Sequence, residues 1–423
     1  MRNVLLVLSL LFVFSAAFSQ ENPEKPSVKL SGYVRGEIFY DTYKSLDTRD
    51  GEMYSYPLRA IYDSTGKDIN KFGQLEMLGL QSRLRVSGSG ASAFGAKASA
   101  ALEAEFLGNS QDNRYLFVLR HAYVKLDWSK TNLIIGQYWH PNCISEFIPT
   151  TVLCGAGFTI SPFARAFQVR VTHELTPGVK IIGALVTQAT HRVVEPTIYN
   201  TQRNSGLPEI HGQIQIGNIN KYFFAISGGT KYLKPYLTNV YNGKIYQATR
   251  IVSSSSIQIS AGAQTKALSI KLQGNLGGNM TNFNMMGGYA RVAGSQNDKG
   301  QYDYVNFKIC SIWTDFETKG TSLKYGIFAG AAQNIGTSKD VILDGATTLG
   351  GTSTYTKDLT RDANLKTIYR VSPRVTFISG PVDIGIEYIL DGSVYGTFSG
   401  KKIINTDKVT INNRMMVAIR YTF

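Results

Sequence analysis

Pairs of arginines are the residues of this chain whose type and spacing most clearly indicate chemistry. Arg83 and Arg85 lie two positions apart on an alternating segment, and Arg370 and Arg374 share the polar phase of a later segment. Side chains two residues apart in an extended strand point to the same side, about 7 Å from each other. A guanidinium group binds carboxylate or phosphate in bidentate fashion. The pairs therefore predict a ladder of binding positions for anionic groups.

Further charged residues fall on the polar phase of their segments, opposite apolar neighbours. The candidate site comprises Arg35, Arg83, Arg85, Arg170, Arg370, Arg374, Arg414, Glu37 and Glu146. Two interpretations remain open, because the charges could pair with one another or could form a net positive lining that concentrates anionic solutes. The formal net charge is +14, but the basic residues are spaced singly and not clustered, which argues against a nucleic-acid partner. Anionic solutes or anionic lipid headgroups are the better explanation.

The element that would carry such residues is clearest at the end of the chain. Residues 409–423 alternate apolar and polar side chains up to the final Phe423. The apolar set is Val409, Ile411, Met415, Val417, Ile419, Tyr421 and Phe423. A transmembrane β-strand needs about 9–11 residues, with aromatic residues where lipid meets the headgroups. This segment fits that description, although a strand of a soluble exported β-protein would also alternate.

The beginning of the chain predicts export. A positive residue precedes an apolar run at residues 4–14, and residues 17–19 form a small-x-small cleavage site. The run is too short for a membrane-spanning helix, and no later stretch has 18 consecutive apolar residues. We therefore expect a signal peptide at 1–19, a short periplasmic lead at 20–27 and a β-barrel at 28–423.

Sixteen alternating segments are predicted, separated by connections that are by turns short and long. The segments are 28–41, 74–88, 95–107, 114–127, 132–139, 164–175, 179–190, 209–217, 222–231, 256–266, 268–278, 302–316, 322–333, 364–378, 382–391 and 409–423. Short turns on one rim and long loops on the other are typical of bacterial barrels. The prediction is an all-β fold, a closed transmembrane antiparallel β-barrel of sixteen strands in the cell outer membrane.

One long loop differs from the others in composition. Residues 140–163 are largely apolar, whereas a loop in water is usually polar. We expect this loop to fold into the lumen and present Glu146 opposite the arginines, the alternatives being a subunit interface or a cap on the rim. Its two cysteines, Cys143 and Cys154, either form a disulfide or remain buried free thiols. Cys310 is left without a candidate partner.

Motifs of enzymes and cofactor sites are not found. The sequence contains no His-Glu-x-x-His, no Gly-x-Ser-x-Gly and no phosphate-binding loop. The histidines occur singly, at His121, His140, His173, His191 and His211. We therefore expect no catalytic residues, no metal site and no cofactor. A barrel protease or lipase, or an adhesin with a sealed lumen, remains the alternative because a catalytic triad is assembled in space and not in sequence.

Several segments resemble a known family. Residues 119–123 (Leu-Arg-His-Ala-Tyr), 133–139 (Leu-Ile-Ile-Gly-Gln-Tyr-Trp) and 165–172 (Arg-Ala-Phe-Gln-Val-Arg-Val-Thr) resemble strands of trimeric sixteen-stranded Gram-negative porins, nearest the DcaP-like branch. The opening residues 32–34 and the closing aromatic strand are similar too. The resemblance is specific over about the first 175 residues and the last 15.

The resemblance implies a homotrimer, passive diffusion and a pore narrowed by the loop after the fifth strand. It further implies an arginine-rich constriction that passes dicarboxylates, with Arg83, Arg85 and Arg170 at the matching positions. The brief lead leaves no room for the N-terminal coiled coil common in that branch. The predicted function is therefore an outer-membrane porin that passes small hydrophilic, preferentially anionic solutes.

Overall fold

The structure is a computed structural model that describes residues 26–155, 157–188, 201–343 and 360–423. The predicted signal peptide, nearly all of the predicted lead and His191 lie outside these residues. Among the described residues, no helix is long and apolar enough to cross a membrane.

Sixteen antiparallel strands form the barrel. They are β1 (Ser27–Asp41), β2 in two segments (Gln74–Leu78 and Arg83–Ala93), β3 (Ala96–Phe106), β4 (Phe117–Asp127), β5 (Thr131–Trp139), β6 (Arg165–Thr176), β7 (Val179–Gln188), β8 (Glu209–Gly217), β9 (Tyr222–Leu233), β10 (Val252–Gln264), β11 (Leu268–Gly278), β12 (Lys308–Thr318), β13 (Leu323–Gly336), β14 (Leu365–Ser379), β15 (Val382–Tyr395) and β16 (Thr410–Thr422). The predicted fold class and the count of sixteen are confirmed.

The barrel closes where its first strand meets its last. β1 pairs with β16 on one side, with Arg35 opposite Arg420, and with both segments of β2 on the other. The Gly32 N–H donates to the Phe423 carbonyl at 3.0 Å, and the Phe423 N–H returns the bond at 3.0 Å. Closure joins the first strand to the last, as a membrane-spanning sheet requires.

The outer face of the barrel is apolar, as the alternation predicted. Val28, Leu30 and Val34 of β1 are 60–79% exposed, and Met415 and Ile419 of β16 are about half exposed. In β16 the inward neighbours Arg414, Met416 and Ala418 are buried. Apolar side chains that stay exposed on one face of every strand are expected where lipid covers that face.

The first turn differs from the prediction. The predicted segment ends at residue 88, but β2 continues to Ala93 and turns at Phe94 and Gly95, both with positive φ. A two-residue turn of this kind usually has Asn or Asp followed by Gly. With phenylalanine in the first position, the sequence lacks this signal, and the turn was not predicted. β2 is also interrupted between Leu78 and Arg83.

The loops contain short strands and helical turns. The short strands are Ser45–Thr48 with Met53–Pro57, Thr238–Tyr241 with Lys244–Gln247, Thr397–Ser399 with Lys402–Ile404, and Gly287–Val292 with Tyr304–Asn306, Val341–Ile342 and Thr360–Arg361. The described helical turns are Ser145–Phe147, Thr201–Ser205 and Thr281–Phe283.

Candidate functional site: an arginine-lined cavity beside the inward loop

Residues 140–163, named here the inward loop, fold into the lumen as predicted. Buried carboxylates on the far wall accept hydrogen bonds from backbone N–H groups of this loop. The Leu153 N–H donates to Glu387 Oε2 at 2.7 Å and the Thr150 N–H to Asp315 Oδ2 at 2.9 Å. The Lys271 ammonium donates to the Ile148 carbonyl at 2.7 Å. These contacts hold the loop across the bore from β11 to β15.

An aromatic anchor fixes the same loop. Phe147 is 1% exposed, and its ring centroid lies 5.6 Å from that of Phe223 and 5.8 Å from that of Trp313. The apolar composition of the inward loop is therefore explained by the small hydrophobic core that it forms with the barrel wall.

A second segment, which the sequence did not lead us to expect inside the barrel, also folds inward. The hairpin formed by Ser45–Thr48 and Met53–Pro57, named here the inward hairpin, lies between the first two predicted strands, 28–41 and 74–88. Tyr54 and Tyr56 are almost fully buried. Arg370 donates to the Ser55 carbonyl at 2.9 Å, which fixes the hairpin to the wall at β14.

A cavity of about 560 Å³ remains between these segments and the wall formed by the first strands. Its described lining includes six arginines but only one carboxylate, Glu105. The arginines are Arg35, Arg49, Arg83, Arg120, Arg165 and Arg420. The opposite side of the cavity is the inward loop, from Ile148 to Gly155. We refer to this space as the arginine cavity.

Ion pairs along the wall neutralise only part of this charge. Arg83 Nη2 lies 2.9 Å from Glu105 Oε2, Arg85 Nη1 lies 3.1 Å from Glu103 Oε2, and Arg120 Nε lies 2.8 Å from Glu103 Oε1. Arg120 also pairs with Glu105. Three guanidinium groups thus share two carboxylates, so one positive charge remains uncompensated in this cluster.

Arg49 adds a charge from the inward hairpin. Among the described residues it forms no ion pair, and burial lowers its pKa. Its guanidinium nevertheless stays protonated near neutral pH, because arginine starts from a pKa above 12. Arg165 stacks on Trp139 and Phe163, with its Cζ atom 5.0 Å and 5.4 Å from the ring centroids.

The predicted site residues separate into two groups in the structure. Arg35 and Arg83 line the arginine cavity, while Arg85 lies beside it and donates to the Tyr123 hydroxyl at 3.0 Å. Glu37 is buried and paired with Arg35. Arg170 is turned aside, because Nη2 donates to the Trp139 carbonyl at 2.6 Å.

The other predicted residues lie apart from this cavity. Arg370, Arg374 and Arg414 point inward but are covered by the inward segments. They are paired with Asp391 at 2.7 Å, Asp315 at 2.8 Å and Asp41 at 2.7 Å, respectively. Glu146 is exposed and accepts a hydrogen bond from the Ser145 hydroxyl at 2.8 Å.

The cysteines of the inward loop are not bonded to each other. Cys143 and Cys154 are both free and buried. The Ala164 N–H donates to Cys143 Sγ at 3.2 Å, and Cys154 packs against Met53 of the inward hairpin. Of the two alternatives, the structure has buried thiols.

Four arginines of the cavity were not among the predicted site residues, and of these only Arg420 falls on the polar phase of its predicted segment; the others are Arg49, Arg120 and Arg165. Arg120 lies at a β-bulge in β4, where the register against β3 shifts between His121 and Leu119. The bulge turns both Arg120 and His121 inward, which simple alternation forbids. Arg165 is the first residue of its strand, and Arg49 lies in the inward hairpin, so neither position could be assigned from alternation.

Comparison with known proteins supports the architecture. No protein-family model and no curated protein matches the chain. Among solved structures, the outer-membrane channel DcaP of Acinetobacter baumannii superposes with a TM-score of 0.65 at 15% identity, over 96% of this chain and 100% of that one. The chain has the fold of the outer-membrane porins. OmpT, an outer-membrane protein of Vibrio cholerae, gives a TM-score of 0.55 at 10% identity, over 97% and 100% of the two chains.

A third structure carries a description of its transport. An anion-selective porin from Comamonas acidovorans superposes with a TM-score of 0.52 at 12% identity, over 94% of this chain and 100% of that one. At such identities the likeness establishes the fold, and the solute must be argued from the residues of this chain.

Proposed function

We propose that the chain is an outer-membrane porin in which small hydrophilic anions diffuse past the arginine cavity. The proposal rests on one observation, that six arginines line the cavity and outnumber the carboxylates that pair with them among the described residues, which are Glu37, Glu103, Glu105 and Asp383. A narrow space with low-dielectric walls and one sign of charge concentrates ions of the opposite sign. The inward loop and the inward hairpin narrow the lumen to this space.

The related structures are consistent with a porin that prefers anions. The neighbours include a protein described as an outer-membrane channel and one described as an anion-selective porin. The outward apolar belt gives the barrel its contact with outer-membrane lipid, while the predicted signal peptide at 1–19 supplies the export route.

Charge reversal at Arg49 tests the anion preference with little disturbance, because this side chain makes no ion pair among the described residues. The change Arg49→Glu lowers the formal charge of the lining by two. At about 8 Å in water, each charge changes the energy of a permeating ion by about 0.5 kcal/mol. We expect the anion-to-cation permeability ratio to fall by about fivefold or more.

The measurement is the reversal potential of the refolded protein in a planar bilayer under a salt gradient. Arg59→Glu is the matched control, since Arg59 pairs with Asp407 outside the cavity at 2.7 Å and its reversal changes the net charge equally. A native channel that prefers anions, and loses this preference only with Arg49→Glu, supports the proposal. Equal effects of the two variants would remove the cavity from the selectivity mechanism.

We also propose that the protein assembles as a homotrimer. One related structure is described as the trimer form of OmpT of Vibrio cholerae. Light scattering of the detergent-solubilised protein should give the mass of three chains, and conductance should close in three equal steps. A monomeric mass with single closures would contradict this assembly.

A sealed barrel would be indicated by a folded, inserted protein that conducts no ions. The enzyme or adhesin alternative would then be pursued at the loops. Among the described residues, neither His140 nor His211 hydrogen-bonds a serine or threonine hydroxyl.

A further inference from the structure

Three buried side chains with metal-ligating atoms meet where the inward loop leaves the wall. His140 directly follows β5 and begins the inward loop, whereas Glu209 and His211 open β8. Their side chains are 1–6% exposed. They lie at the long-loop end of the barrel, apart from the arginine cavity, and the mechanism of diffusion does not use them.

The distances between the three groups approach those of a metal site. His140 Nε2 lies 3.4 Å from Glu209 Oε1, and His211 Nε2 lies 2.7 Å from the same oxygen. The two imidazole rings are 4.6 Å apart and nearly perpendicular. Zinc binds histidine nitrogen and carboxylate oxygen at about 2.0–2.2 Å, so the ligands of a tetrahedral ion are about 3.3 Å apart. The wider contact already has this separation, and the closer one must open by about 0.6 Å.

One nitrogen is directed into the cluster and lies 3.4 Å from Glu209 Oε1 without a hydrogen bond. His140 is 2% exposed, and its Nε2 atom makes no hydrogen bond among the described residues. A neutral imidazole is the form that binds metal. A buried nitrogen of this kind needs a ligand or carries a desolvation cost.

We propose that His140, Glu209 and His211 bind a divalent transition metal of the zinc type. Two histidines and one carboxylate suit such ions and leave a position for water. The site would join the first residue of the inward loop to the wall at β8.

The proton arrangement gives binding a structural consequence. The Asn142 N–H donates to His140 Nδ1 at 3.2 Å, which places the ring proton on Nε2 in the metal-free protein. The hydrogen bond from His211 Nε2 to Glu209 likewise uses the nitrogen that would bind metal. Metal binding moves each ring proton from Nε2 to Nδ1, with no net release. The turn at Asn142 must then shift, so the metal acts on the inward loop.

A neighbouring lysine limits the affinity. Lys231 is 4% exposed, and its ammonium donates to the Asn279 carbonyl and the Asn282 side chain. Its charge interacts with Glu209, which opposes a second cation nearby. We therefore expect zinc binding in the micromolar range.

The experiment titrates the refolded, chelator-stripped full chain with Zn²⁺ in competition with a chromophoric chelator. We expect one ion per chain, and Co²⁺ in place of Zn²⁺ should give a visible absorption band typical of low coordination number. Glu209→Gln and His211→Asn should each weaken binding about a hundredfold. His173→Asn is the control, since His173 lies on β6 and bonds Thr131 at 2.8 Å.

The outcome is decided by stoichiometry together with these variants. Folding of each variant is checked by its heat-dependent migration on a gel, and Glu209→Gln is the test should His211→Asn not fold. One site that is lost in Glu209→Gln and kept in His173→Asn supports the proposal. No binding to the native chain, or equal binding in Glu209→Gln, would overturn it and leave a hydrogen-bonded triad. Because binding is measured without transport, this result is independent of the porin test.

Discussion

Phe147→Ala removes the aromatic anchor of the inward loop and is the perturbation that most directly tests whether this loop narrows the channel. The phenyl ring is almost fully buried against Phe223 and Trp313. Phe147 lies in a short helical turn of the inward loop and not in a barrel strand, so its replacement removes no hydrogen bond between barrel strands. The variant should therefore loosen the loop while leaving the barrel intact.

The magnitude follows from the burial. Replacing a buried phenylalanine by alanine costs about 3–5 kcal/mol, from lost apolar transfer and the cavity that remains. Since each 1.4 kcal/mol is a factor of about ten, the ratio of packed to released loop falls by about a hundredfold to a few thousandfold. The bonds of Thr150 and Leu153 to the far wall remain, so this is an upper limit.

Single-channel recording of refolded protein is the assay. Phe147→Ala should show a larger mean conductance and more open-channel noise than the native chain. Phe398→Ala is a matched control, because Phe398 is also buried and stacks on Phe307 at 5.1 Å, away from the inward loop. Native conductance in Phe147→Ala, or an equal rise in Phe398→Ala, would refute the argument that this loop sets the width.

Two more predictions concern titratable groups of the inward segments. Burial and the carboxylate of Glu37 raise the pKa of Glu52 well above its usual range, against the opposing charge of Arg35 and beside Cys154. Glu52 therefore binds its proton more tightly when the inward hairpin is packed in the lumen than when the hairpin is released. Packing of the hairpin consequently weakens as pH rises through that raised pKa. Conductance should increase from mildly acidic to alkaline pH in the native chain and stay flat in Glu52→Gln; a rise that persists in the variant would assign the titration elsewhere. Burial raises the pKa of Cys143 to about 12 and that of Cys154 above its usual value. Iodoacetamide should therefore label these thiols in the folded chain on the order of a hundredfold more slowly than in the heat-unfolded chain. Equal labelling rates, measured by mass spectrometry, would contradict this.

The barrel itself could be predicted because its signal is repeated in every strand. Inward and outward residues alternate with a period of two, and lipid on one side makes that alternation strict. β16 shows it up to its last residues, with Met415 outside and Arg414 inside. The predicted segment 302–316 was wrong at its start, because it includes the separate loop strand Tyr304–Asn306, whereas β12 begins at Lys308.

The inward loop was predictable for a different reason, since its composition conflicts with a position in water. The inward hairpin was not, because Met53, Tyr54 and Tyr56 form a short apolar run within a polar segment. Only contacts with distant strands, such as that between Arg370 and Ser55, distinguish it from a surface loop. Such contacts are separated by hundreds of residues and leave no local pattern.

Charge pairing was the least predictable feature. That Arg414 meets Asp41 depends on the register between β16 and β1, while Arg370 meets Asp391 through the register between β14 and β15. Alternation gives the face of a side chain but not its neighbour across the sheet. For this reason the sequence left both interpretations of the arginines open, and the structure contains examples of each.

The two sides of the arginine cavity differ in chemical character, and this difference would determine the orientation of a solute between them. One side offers guanidinium groups on β1, β2 and β4, and the other offers the carbonyls and apolar side chains of the inward loop. A solute with a carboxylate at one end and a hydrocarbon body would turn its charge toward the wall and its body toward the loop. Under the proposed function, such a passage would select molecules by how their polarity is distributed along their length, and a compact symmetrical anion would gain nothing from this alignment.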